Sequence, residues 1–343
     1  MVPLRAMVAG PIRAAMFLVT GGAGFIGSNI VAALNAHSPN PVVVCDRLRQ
    51  GQKWRNIAKR ELADVISPDE VFEALEHWRH SVAAIIHMGA VTSTTECDAD
   101  RMIETNFRFS MRLWTWCAEA GAPFIYASSA ATYGDGSRGF DDIATREGLA
   151  RYRPLNVYGW SKHLFDRWIA GQIAQGSPTP PQWVGLKFFN VYGPNEYHKG
   201  PQGSVIQRLY PEIKAGRPAR LFRSHHPDYA DGGQMRDFVW VDDCVAVVLW
   251  LLQRPDVSGL FNVGSGQARS FADLAAAVFR ALGREPIIEY IPMPDAIRDQ
   301  YQYFTEARLD RLRRAGYGTP STSLEDGVGA YVQRFLDTAD PFR

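Results

Sequence analysis

The sequence of 343 residues has only four cysteines, and none of them forms a Cys-x-x-Cys pair. Widely spaced thiols indicate reduced cysteines in a cytoplasmic protein, and they argue against a disulfide framework. Three candidate histidine ligands, His198, His225 and His226, have no carboxylate or thiol at metal-ligand spacing. We therefore expect no metal site. The cysteines are Cys45, Cys97, Cys117 and Cys244.

The sequence also lacks an excess of charge of either sign. It has 37 Lys and Arg against 36 Asp and Glu, a formal net charge of +1 at pH 7. Nucleic acids and anionic membrane surfaces attract proteins through positive charge. The balance therefore favours a small-molecule partner and argues against a nucleic acid or a membrane.

Long apolar runs are missing as well. The longest, from Cys244 to Leu252, is far shorter than the roughly 20 residues that cross a bilayer. Prolines and arginines interrupt residues 1–15, so these residues lack the apolar core of a secretory signal. We expect them to be a disordered extension, or to precede a true start at Met16.

A glycine-rich turn follows the first apolar run of the working protein. Residues 16–20 read as a buried strand, and residues 28–34 have helical character. The glycines between them have the spacing of a dinucleotide-binding turn, in which bare backbone lets a pyrophosphate approach a helix N-terminus. A lone glycine motif is weak, but the strand and the helix on either side favour dinucleotide binding. These glycines are Gly21, Gly22, Gly24 and Gly27.

The residues after the second predicted strand, 41–46, give conflicting evidence about the cofactor. Asp46 stands nineteen residues past Gly27, where a carboxylate normally binds the ribose hydroxyls of NAD. Arg47, Arg49 and Lys53 follow at once and could instead hold the 2′-phosphate of NADP. A solvated loop would explain these cations equally well.

Further buried strands at 82–87 and 123–129 alternate with helical segments, which predicts an α/β fold with a Rossmann-type doubly wound parallel sheet. Small or polar residues follow both strands, at the sheet edge that lines a cofactor crevice. Beyond a strand at 183–189, the weak periodicity of residues 190–229 suggests an insertion that covers the site. We expect helices at 270–282, with Ser270 and Asp273 as capping box, at 306–314 and at 324–336.

Tyr158 and Lys162 are the strongest candidates for chemistry. Four residues apart on a helix, they lie on one face. A phenol has a pKa near ~10, and a nearby ammonium lowers it, which would make an acid/base suited to an alcohol. A surface Tyr beside a surface Lys would carry the same pattern.

Three motifs together resemble the extended short-chain dehydrogenase/reductase superfamily. They are Thr20-Gly-Gly-Ala-Gly-Phe-Ile-Gly27, Ser128-Ser-Ala-Ala-Thr-Tyr-Gly134 and Tyr158-x-x-x-Lys162. The resemblance implies that Tyr158 and Lys162 are a catalytic couple, with Ser129 as the third member.

Other motifs narrow the resemblance to the ADP-L-glycero-D-manno-heptose 6-epimerase family, over residues Met16 to Phe335. Ser93-Thr-Thr-Glu96 and His198-Lys-Gly200 are the more specific ones; the others are Pro154–Lys162, Phe189–Pro194, Arg236–Val239, Phe261–Gly264 and Glu289–Pro292. The family implies a cytoplasmic isomerase of lipopolysaccharide inner-core biosynthesis that uses bound NADP, with NAD possible. It also implies an ADP-heptose substrate and a homo-oligomer, commonly a pentamer.

The resemblance carries residue roles with it. Tyr158, Lys162, Lys199 and Ser129 are implied to be catalytic. The implied cofactor residues are Gly21, Gly24, Phe25, Ile26, Gly27, Asp46, Arg47, Lys53, Met88, Gly89, Ala90, Asn106, Lys162 and Val191. The implied substrate residues are Asn190, Arg208, Phe222, Ser224, Arg236 and Tyr301. Departures from the family pattern are Arg47, Pro68, Met88, Pro201, Arg208, Arg223 and a longer segment at 225–234.

We also predict two domains. Residues 16–189 with 240–266 and 316–343 would form the NADP-binding Rossmann domain. Residues 190–239 with 267–315 would form a smaller α/β substrate-binding domain.

The expected reaction is an oxidation followed by a reduction on the other face, which needs proton transfer at two positions. Tyr158 would serve one and Lys199 the other, if burial lowers the pKa of Lys199. Without the family match, Lys199 reads as a phosphate-binding or exposed lysine. Arg236 would bind the diphosphate, unless it forms a structural ion pair with Asp237 or Asp242.

Three alternative functions would need different residues. A 4,6-dehydratase would have acidic residues after Ser129, where this chain has Ala130 and Ala131. A 4-epimerase remains open, because the difference depends on the substrate loop. A non-catalytic dinucleotide sensor would have no need of both Tyr158 and Lys162.

Overall fold

The computed structural model of the protein describes residues 15–94, 96–298 and 301–343. The extension predicted for residues 1–15 lies, apart from Ala15, outside this part. The strands of the described residues are β1 (Met16–Thr20), β2 (Val42–Cys45), β3 (Asp64–Ile66), β4 (Val82–His87), β5 (Phe124–Ser129), β6 (Trp183–Phe188), β7 (Asn190–Tyr192), β8 (Ala219–Phe222), β9 (Met235–Trp240), β10 (Gly259–Val263), β11 (Ala268–Ser270) and β12 (Ile288–Ile291).

The α-helices of the same ranges are α1 (Phe25–His37), α2 (Val71–His77), α3 (Ala99–Met102), α4 (Phe109–Ala120), α5 (Arg146–Ala150), α6 (Val157–Ala174), α7 (Val205–Lys214), α8 (Val241–Leu252), α9 (Phe271–Ala281), α10 (Asp295–Arg298), α11 (Asp310–Arg314) and α12 (Leu324–Tyr331). Short 3₁₀ turns span Lys53–Asn56, Ala130–Tyr133 and Tyr197–Gln202, and π-helical turns span Ile103–Arg108 and Val332–Leu336.

Seven parallel strands form the central sheet, in the order β10-β6-β5-β4-β1-β2-β3. The chain reverses its direction of winding between β1 and β4, so the carboxyl ends of these two strands flank a crevice. The predicted doubly wound fold is confirmed. The predicted strands at 41–46, 82–87, 123–129 and 183–189 agree with the structure to within one residue at each end.

Both faces of the sheet are buried, which explains why its strands are near-continuous apolar runs. Val19, Val44 and Ile86 pack on one face, against residues of α1 and α8. Their neighbours Leu18 and Val43 point to the other face, where α2, α4 and α6 pack. Alternation along each strand thus joins two helical layers through one sheet.

A smaller α/β layer lies beyond the carboxyl ends of the sheet. It contains the three-stranded sheet β11-β9-β7 and the pair β12-β8. Apolar residues of α7, α9 and α12 form its core. The predicted capping box at the start of α9 is present, because Asp273 N donates to Ser270 Oγ and Ser270 N donates to the Asp273 carboxylate.

Two expectations about local structure were wrong. Residues 190–229 are not an irregular insertion, since they contain β7, α7 and β8. The helix predicted at 306–314 begins only at Asp310, because side chains of other segments hydrogen-bond the preceding backbone. Asp237 accepts from Ala307 N, and Asn262 donates to Arg308 O. The helix predicted at 324–336 is present as α12 and its π-helical continuation.

The described helices include none that is long and apolar enough to cross a membrane.

Candidate active site

The glycine turn between β1 and α1 is a cradle without side chains. Gly21 has a φ of +65°, and a Cβ built there would lie 2.6 Å from the Gly89 Cα. A Cβ on Gly27 would lie 2.2 Å from the Gly21 carbonyl oxygen. No side chain of the described residues caps the first turn of α1. Bare backbone at a helix N-terminus fits the pyrophosphate of a dinucleotide.

Asp46 stands at the edge of this cradle. Its Oδ2 accepts from Ala23 N at 3.0 Å, and its Oδ1 lies 2.5 Å from Lys53 Nζ. Arg47 turns outward instead and pairs with Asp69 at 2.5 Å, with both side chains about half exposed or more. The structure therefore joins Lys53 to the predicted ribose-binding acid and leaves Arg47 on the surface.

The loop after β4 closes the crevice from the other side. Gly89 N donates to Thr20 Oγ1 at 3.2 Å, which ties the loop to the end of β1. Asn106, in a π-helical turn, donates to Val91 O and accepts from Val91 N. It also donates to Ser161 Oγ at 3.0 Å. Asn106 thus fixes the loop that carries Met88, Gly89 and Ala90 relative to α6.

Tyr158 and Lys162 lie one turn apart near the start of α6, as predicted. Asn156 caps the helix by accepting from Gly159 N at 2.8 Å. A hydrogen bond joins Tyr158 to Ser129, which ends β5. The phenol is therefore held at the carboxyl edge of the sheet.

The pKa of Tyr158 differs from the expected direction. Burial raises it, and the hydrogen bond with Ser129 lowers it only in part. The ammonium of Lys162 donates to the Ala127 carbonyl at 2.8 Å, and burial lowers its pKa to about 8, against the charge of Asp166. In this geometry both members of the couple are desolvated, so each disfavours its charged form.

Beneath this couple lies a buried ion pair that the sequence analysis missed. Lys187 Nζ and Asp166 Oδ2 are 2.6 Å apart, and both side chains are fully buried. Asp166 also accepts from Tyr126 and from Ser128, and Lys187 donates to Thr132. The sequence feature that could have revealed this pair is a lysine inside the apolar run of β6, because a lysine is almost never fully buried without a partner.

Lys199 lies on the other side of the crevice, on the 3₁₀ turn Tyr197–Gln202. Its Nζ is 5.4 Å from the centre of the Phe25 ring, at the first residue of α1. Burial lowers the pKa of Lys199, as expected, while the charge of Glu196 opposes the shift. The lysine predicted to transfer a proton therefore lies beside the first residue of α1, directly after the glycine turn.

Arg236 is buried on β9 and has no acidic partner among the described residues. Its Nη1 donates to the Met235 carbonyl, and its guanidinium carbon lies 5.1 Å from the Tyr301 ring centre. The alternative of a structural ion pair is wrong. Asp237 accepts from backbone amides and Ser265, and Asp242 pairs with Arg343. A buried cation that has no acidic partner favours the binding of an anionic ligand.

The other predicted substrate residues spread around Arg236. Tyr301 packs on Tyr303 with ring centres 5.4 Å apart, and Tyr303 accepts from the amide that follows Ser224. Arg208 is exposed on α7, and its charge acts on Tyr301. Phe222 ends β8, and Asn190 begins β7, where it pairs with Phe238, two residues past Arg236. Val191, which was predicted to contact the cofactor, follows Asn190 on β7. Ile26 packs between the two apolar cores that meet at α1.

The candidate histidines come near few acids, and the one such pair in the described part of the chain is His226 with Asp228, 3.8 Å apart. Among the described residues, no group of three His, Cys, Asp or Glu side chains has the geometry to hold a metal ion. His198 instead lies 3.2 Å from Asn56 Nδ2, and burial lowers its pKa to about 4.

Comparison with known proteins agrees with this geometry. Residues 17–264 match the family described as the NAD dependent epimerase/dehydratase family. The chain is 53% identical to the ADP-L-glycero-D-manno-heptose-6-epimerase of Nitratidesulfovibrio vulgaris, over 95% of this chain and 100% of that one.

Two solved structures of epimerases have a similar fold. The Helicobacter pylori ADP-L-glycero-D-manno-heptose-6-epimerase matches with a TM-score of 0.76 and 27% identity, over 94% of this chain and 96% of that one. The Thermus thermophilus UDP-glucose 4-epimerase, in complex with NAD, matches with a TM-score of 0.71 and 26% identity, over 92% and 97%. The chain therefore belongs to the NAD dependent epimerase/dehydratase family and, within it, to the ADP-L-glycero-D-manno-heptose-6-epimerases.

Proposed function

We propose that the protein inverts C6″ of ADP-D-glycero-β-D-manno-heptose to give the L-glycero epimer, in the synthesis of the lipopolysaccharide inner core. The observation that supports this proposal is that two candidate proton-transfer groups approach the cofactor cradle from different elements, Tyr158 beside Ser129 and Lys199 beside Phe25. Tyr158 lies on α6 and Lys199 lies on the 197–202 turn. Inversion needs both, because the hydroxyl points differently before and after the reaction.

The cradle fits a nicotinamide dinucleotide, NADP or alternatively NAD, which when bound supplies the acceptor and donor of the hydride. The glycine turn would hold the pyrophosphate, and Asp46 with Lys53 would hold the adenosine ribose or its phosphate. Asn106, Lys162 and the loop 88–90 would bound the crevice. Support comes from the side-chain-free cradle and from the Lys53–Asp46 contact.

Tyr158, Ser129 and Lys162 form the first proton-transfer group. Ser129 would hydrogen-bond the oxygen that becomes a carbonyl, and its interaction with the Tyr158 phenol supports this role. The Lys162 charge, fixed by the Ala127 carbonyl, would stabilise the phenolate when the phenol gives up its proton. Exclusion of water from this corner strengthens each of these interactions.

Lys199 is the second group. An amine whose pKa burial lowers is a better base at neutral pH than a free lysine, so it can take or give a proton at the opposite face of C6″. Arg236 and Tyr301 would anchor the diphosphate at a distance from the reacting carbon. Binding the remote group lets the sugar turn between the two half-reactions while the nucleotide stays in place.

Incubation of the purified protein with ADP-D-glycero-β-D-manno-heptose tests the proposal. We expect the L-glycero epimer, identified by the proton NMR signals of the C6″ centre, and no change at C4″. UDP-glucose serves as the comparison substrate. Inversion of UDP-glucose at C4 with ADP-heptose left unchanged would refute the proposal and favour a 4-epimerase.

We also infer a cytoplasmic homo-oligomer, with a pentamer as the form that the resemblance favours. Light scattering during size-exclusion chromatography measures the mass of the assembly. A monomer at working concentration would refute this inference.

A further inference from the structure

The segment of residues 340–343, here named the strap, crosses the surface between two functional parts of the molecule. One part is the 3₁₀ turn Tyr197–Gln202 that carries Lys199. The other is the 3₁₀ turn Lys53–Asn56 that begins with the lysine on Asp46. The mechanism described above makes no use of the strap.

Phe342 is the centre of the strap and is only 6% exposed. The Tyr197 ring meets it edge-on, with ring centres 5.2 Å apart. The Arg55 guanidinium covers its other side, with its carbon 4.3 Å from the ring centre. One aromatic ring is thus enclosed between a residue two before Lys199 and a residue two after Lys53.

Hydrogen bonds hold both flanks of this ring. Tyr197 donates to Pro341 O at 2.8 Å, and Lys59 donates to Phe342 O at 2.6 Å. Lys59 also pairs with Asp340 at 2.9 Å. The backbone of the strap is therefore tied to the cofactor side and to the Lys199 side at once.

Two residues before Tyr197, a second set of bonds continues the same connection. Arg343 N donates to Asn195 Oδ1 at 3.0 Å. Asn195 and Asn56 exchange side-chain to backbone hydrogen bonds at 3.0 and 3.3 Å, and Asn56 also donates to Ala23 O in the glycine turn. The start of the Lys199 turn is thus connected through Asn56 to the cradle itself.

The Lys199 turn needs such external support. None of its residues is buried, and it contains Gly200 with a φ of +54°, so it has no core of its own. At its start, the Glu196 carboxylate binds Ser204, which closes the turn from its far end. Side chains of other segments, and not a regular element, determine where Lys199 lies.

We propose that Phe342 is a positioning residue for Lys199, which it fixes against the cofactor cradle through Tyr197 and Arg55. This inference rests on the proposed function only in its effect on catalysis. Its structural part, that the strap orders the 196–203 segment, stands independently.

The variant Phe342→Ala tests the inference by hydrogen–deuterium exchange and by steady-state kinetics. Misplacing a catalytic group by about 1 Å can cost up to ~10²-fold in rate, so we expect kcat to fall by about tenfold or more with KM for ADP-heptose little changed. Amide exchange in residues 196–203 should increase, while exchange in β1 and β4 stays the same. Phe342→Tyr keeps the ring and should restore both readouts.

Two controls separate positioning from general loss of stability. Phe279→Ala removes another buried phenylalanine, on α9, and should leave the exchange of residues 196–203 unchanged. In a Lys199→Ala background, Phe342→Ala should cause no further loss of kcat, because residues that act through one another are not additive.

An equal loss of kcat with and without Lys199, or unchanged exchange in residues 196–203, would overturn the inference. Full epimerisation by Lys199→Ala alone would instead refute the proposed role of Lys199 in the reaction. The exchange measurement would then still decide whether the strap orders the turn.

Discussion

The two sides of the crevice present similar chemistry on very different supports. Tyr158 and Lys162 project from α6, an eighteen-residue helix that packs on the sheet and carries a buried ion pair one turn further on. Lys199 projects from a six-residue 3₁₀ turn without a buried residue of its own. The first support is made by packing and the second by contacts from other segments. One half of the proposed acid/base pair is therefore held by a packed helix, whereas the other depends on contacts from other segments of the chain.

Removing the acid/base group from each side should have the largest effect. General acid–base groups contribute about 10²- to 10⁴-fold, so Tyr158→Phe and Lys199→Ala should each lower kcat within that range. Neither should change the melting temperature much, since both side chains are only partly buried. Tyr317→Phe, which packs on Trp250, is a matched control that should keep full activity. Wild-type turnover by either variant would mean that one side alone suffices.

Adding a methyl group next to each residue should separate the two supports. A Cβ on Gly159 would lie 2.6 Å from the Ala131 carbonyl oxygen, so Gly159→Ala pushes α6 away and should lower the free energy of unfolding by about 1–3 kcal/mol. At Gly200 there is open space, but the positive φ strains alanine by about 1–3 kcal/mol.

Because the Lys199 turn can rearrange locally, Gly200→Ala should lower kcat with little change in the global unfolding transition. Urea unfolding and kcat, measured on both variants, distinguish the two cases. Gly283 also has a positive φ and open space around it, so Gly283→Ala is the control for backbone strain at a site away from the Lys199 turn. Equal losses of global stability at positions 159 and 200 would contradict the comparison.

The buried lysine of the rigid side should give a pH signature. Burial lowers the pKa of Lys162 from 10.5 to about 8, so between these values the unfolded chain binds a proton that the folded chain does not. The free energy of unfolding of the parent, relative to Lys162→Met, should therefore rise with pH over this window. Below pH 8 the full cost of burying the charge is present. Unfolding by urea between pH 7 and 10 measures the slope, and a difference that stays flat would argue against a charged, buried Lys162.

The same titration should appear in the reaction. In the proposed mechanism the ammonium form of Lys162 stabilises the phenolate, so kcat should fall as the pH rises through about 8. Lys199 has the opposite effect on kcat in the proposed mechanism. It acts as a base in its neutral form, which becomes more populated as the pH rises.

The smallest expected effect concerns the cations beside Asp46. If Arg47 and Lys53 bind a 2′-phosphate, replacing both by alanine should weaken NADP by about tenfold more than NAD. Isothermal titration with each nucleotide measures this difference. Arg79→Ala, which removes a cation that pairs with Glu76 outside this loop, is the control. Equal losses for both nucleotides would show that the pair does not read the phosphate.

How much of this was predictable differs between the two sides. The strand–glycine–helix order and the four-residue spacing of Tyr158 and Lys162 are local patterns, so the fold and the rigid side followed from the sequence. Lys199 followed only from a family resemblance, because its turn is held by contacts with residues far away in the chain, such as the contact of Tyr197 with Phe342. The Asp166–Lys187 pair likewise joins a helix to a strand across the sheet.

The helix α7 shows a different kind of failure. Its apolar positions Ile206, Leu209, Tyr210 and Ile213 have helical spacing and are buried. Pro211 and the surrounding glycines hid this periodicity, since proline normally interrupts a helix. The direction of the Tyr158 pKa could not be anticipated either, because burial of a side chain is a property of the fold.

The burial of Arg236 has a consequence for the stability of the protein when no substrate is bound. A guanidinium that is buried without an acid is a desolvation cost that the fold carries alone. A diphosphate that binds there offsets this cost and adds its own binding free energy to stability. If the diphosphate binds at Arg236 as proposed, the resistance of the protein to unfolding should increase with the concentration of ADP-sugar.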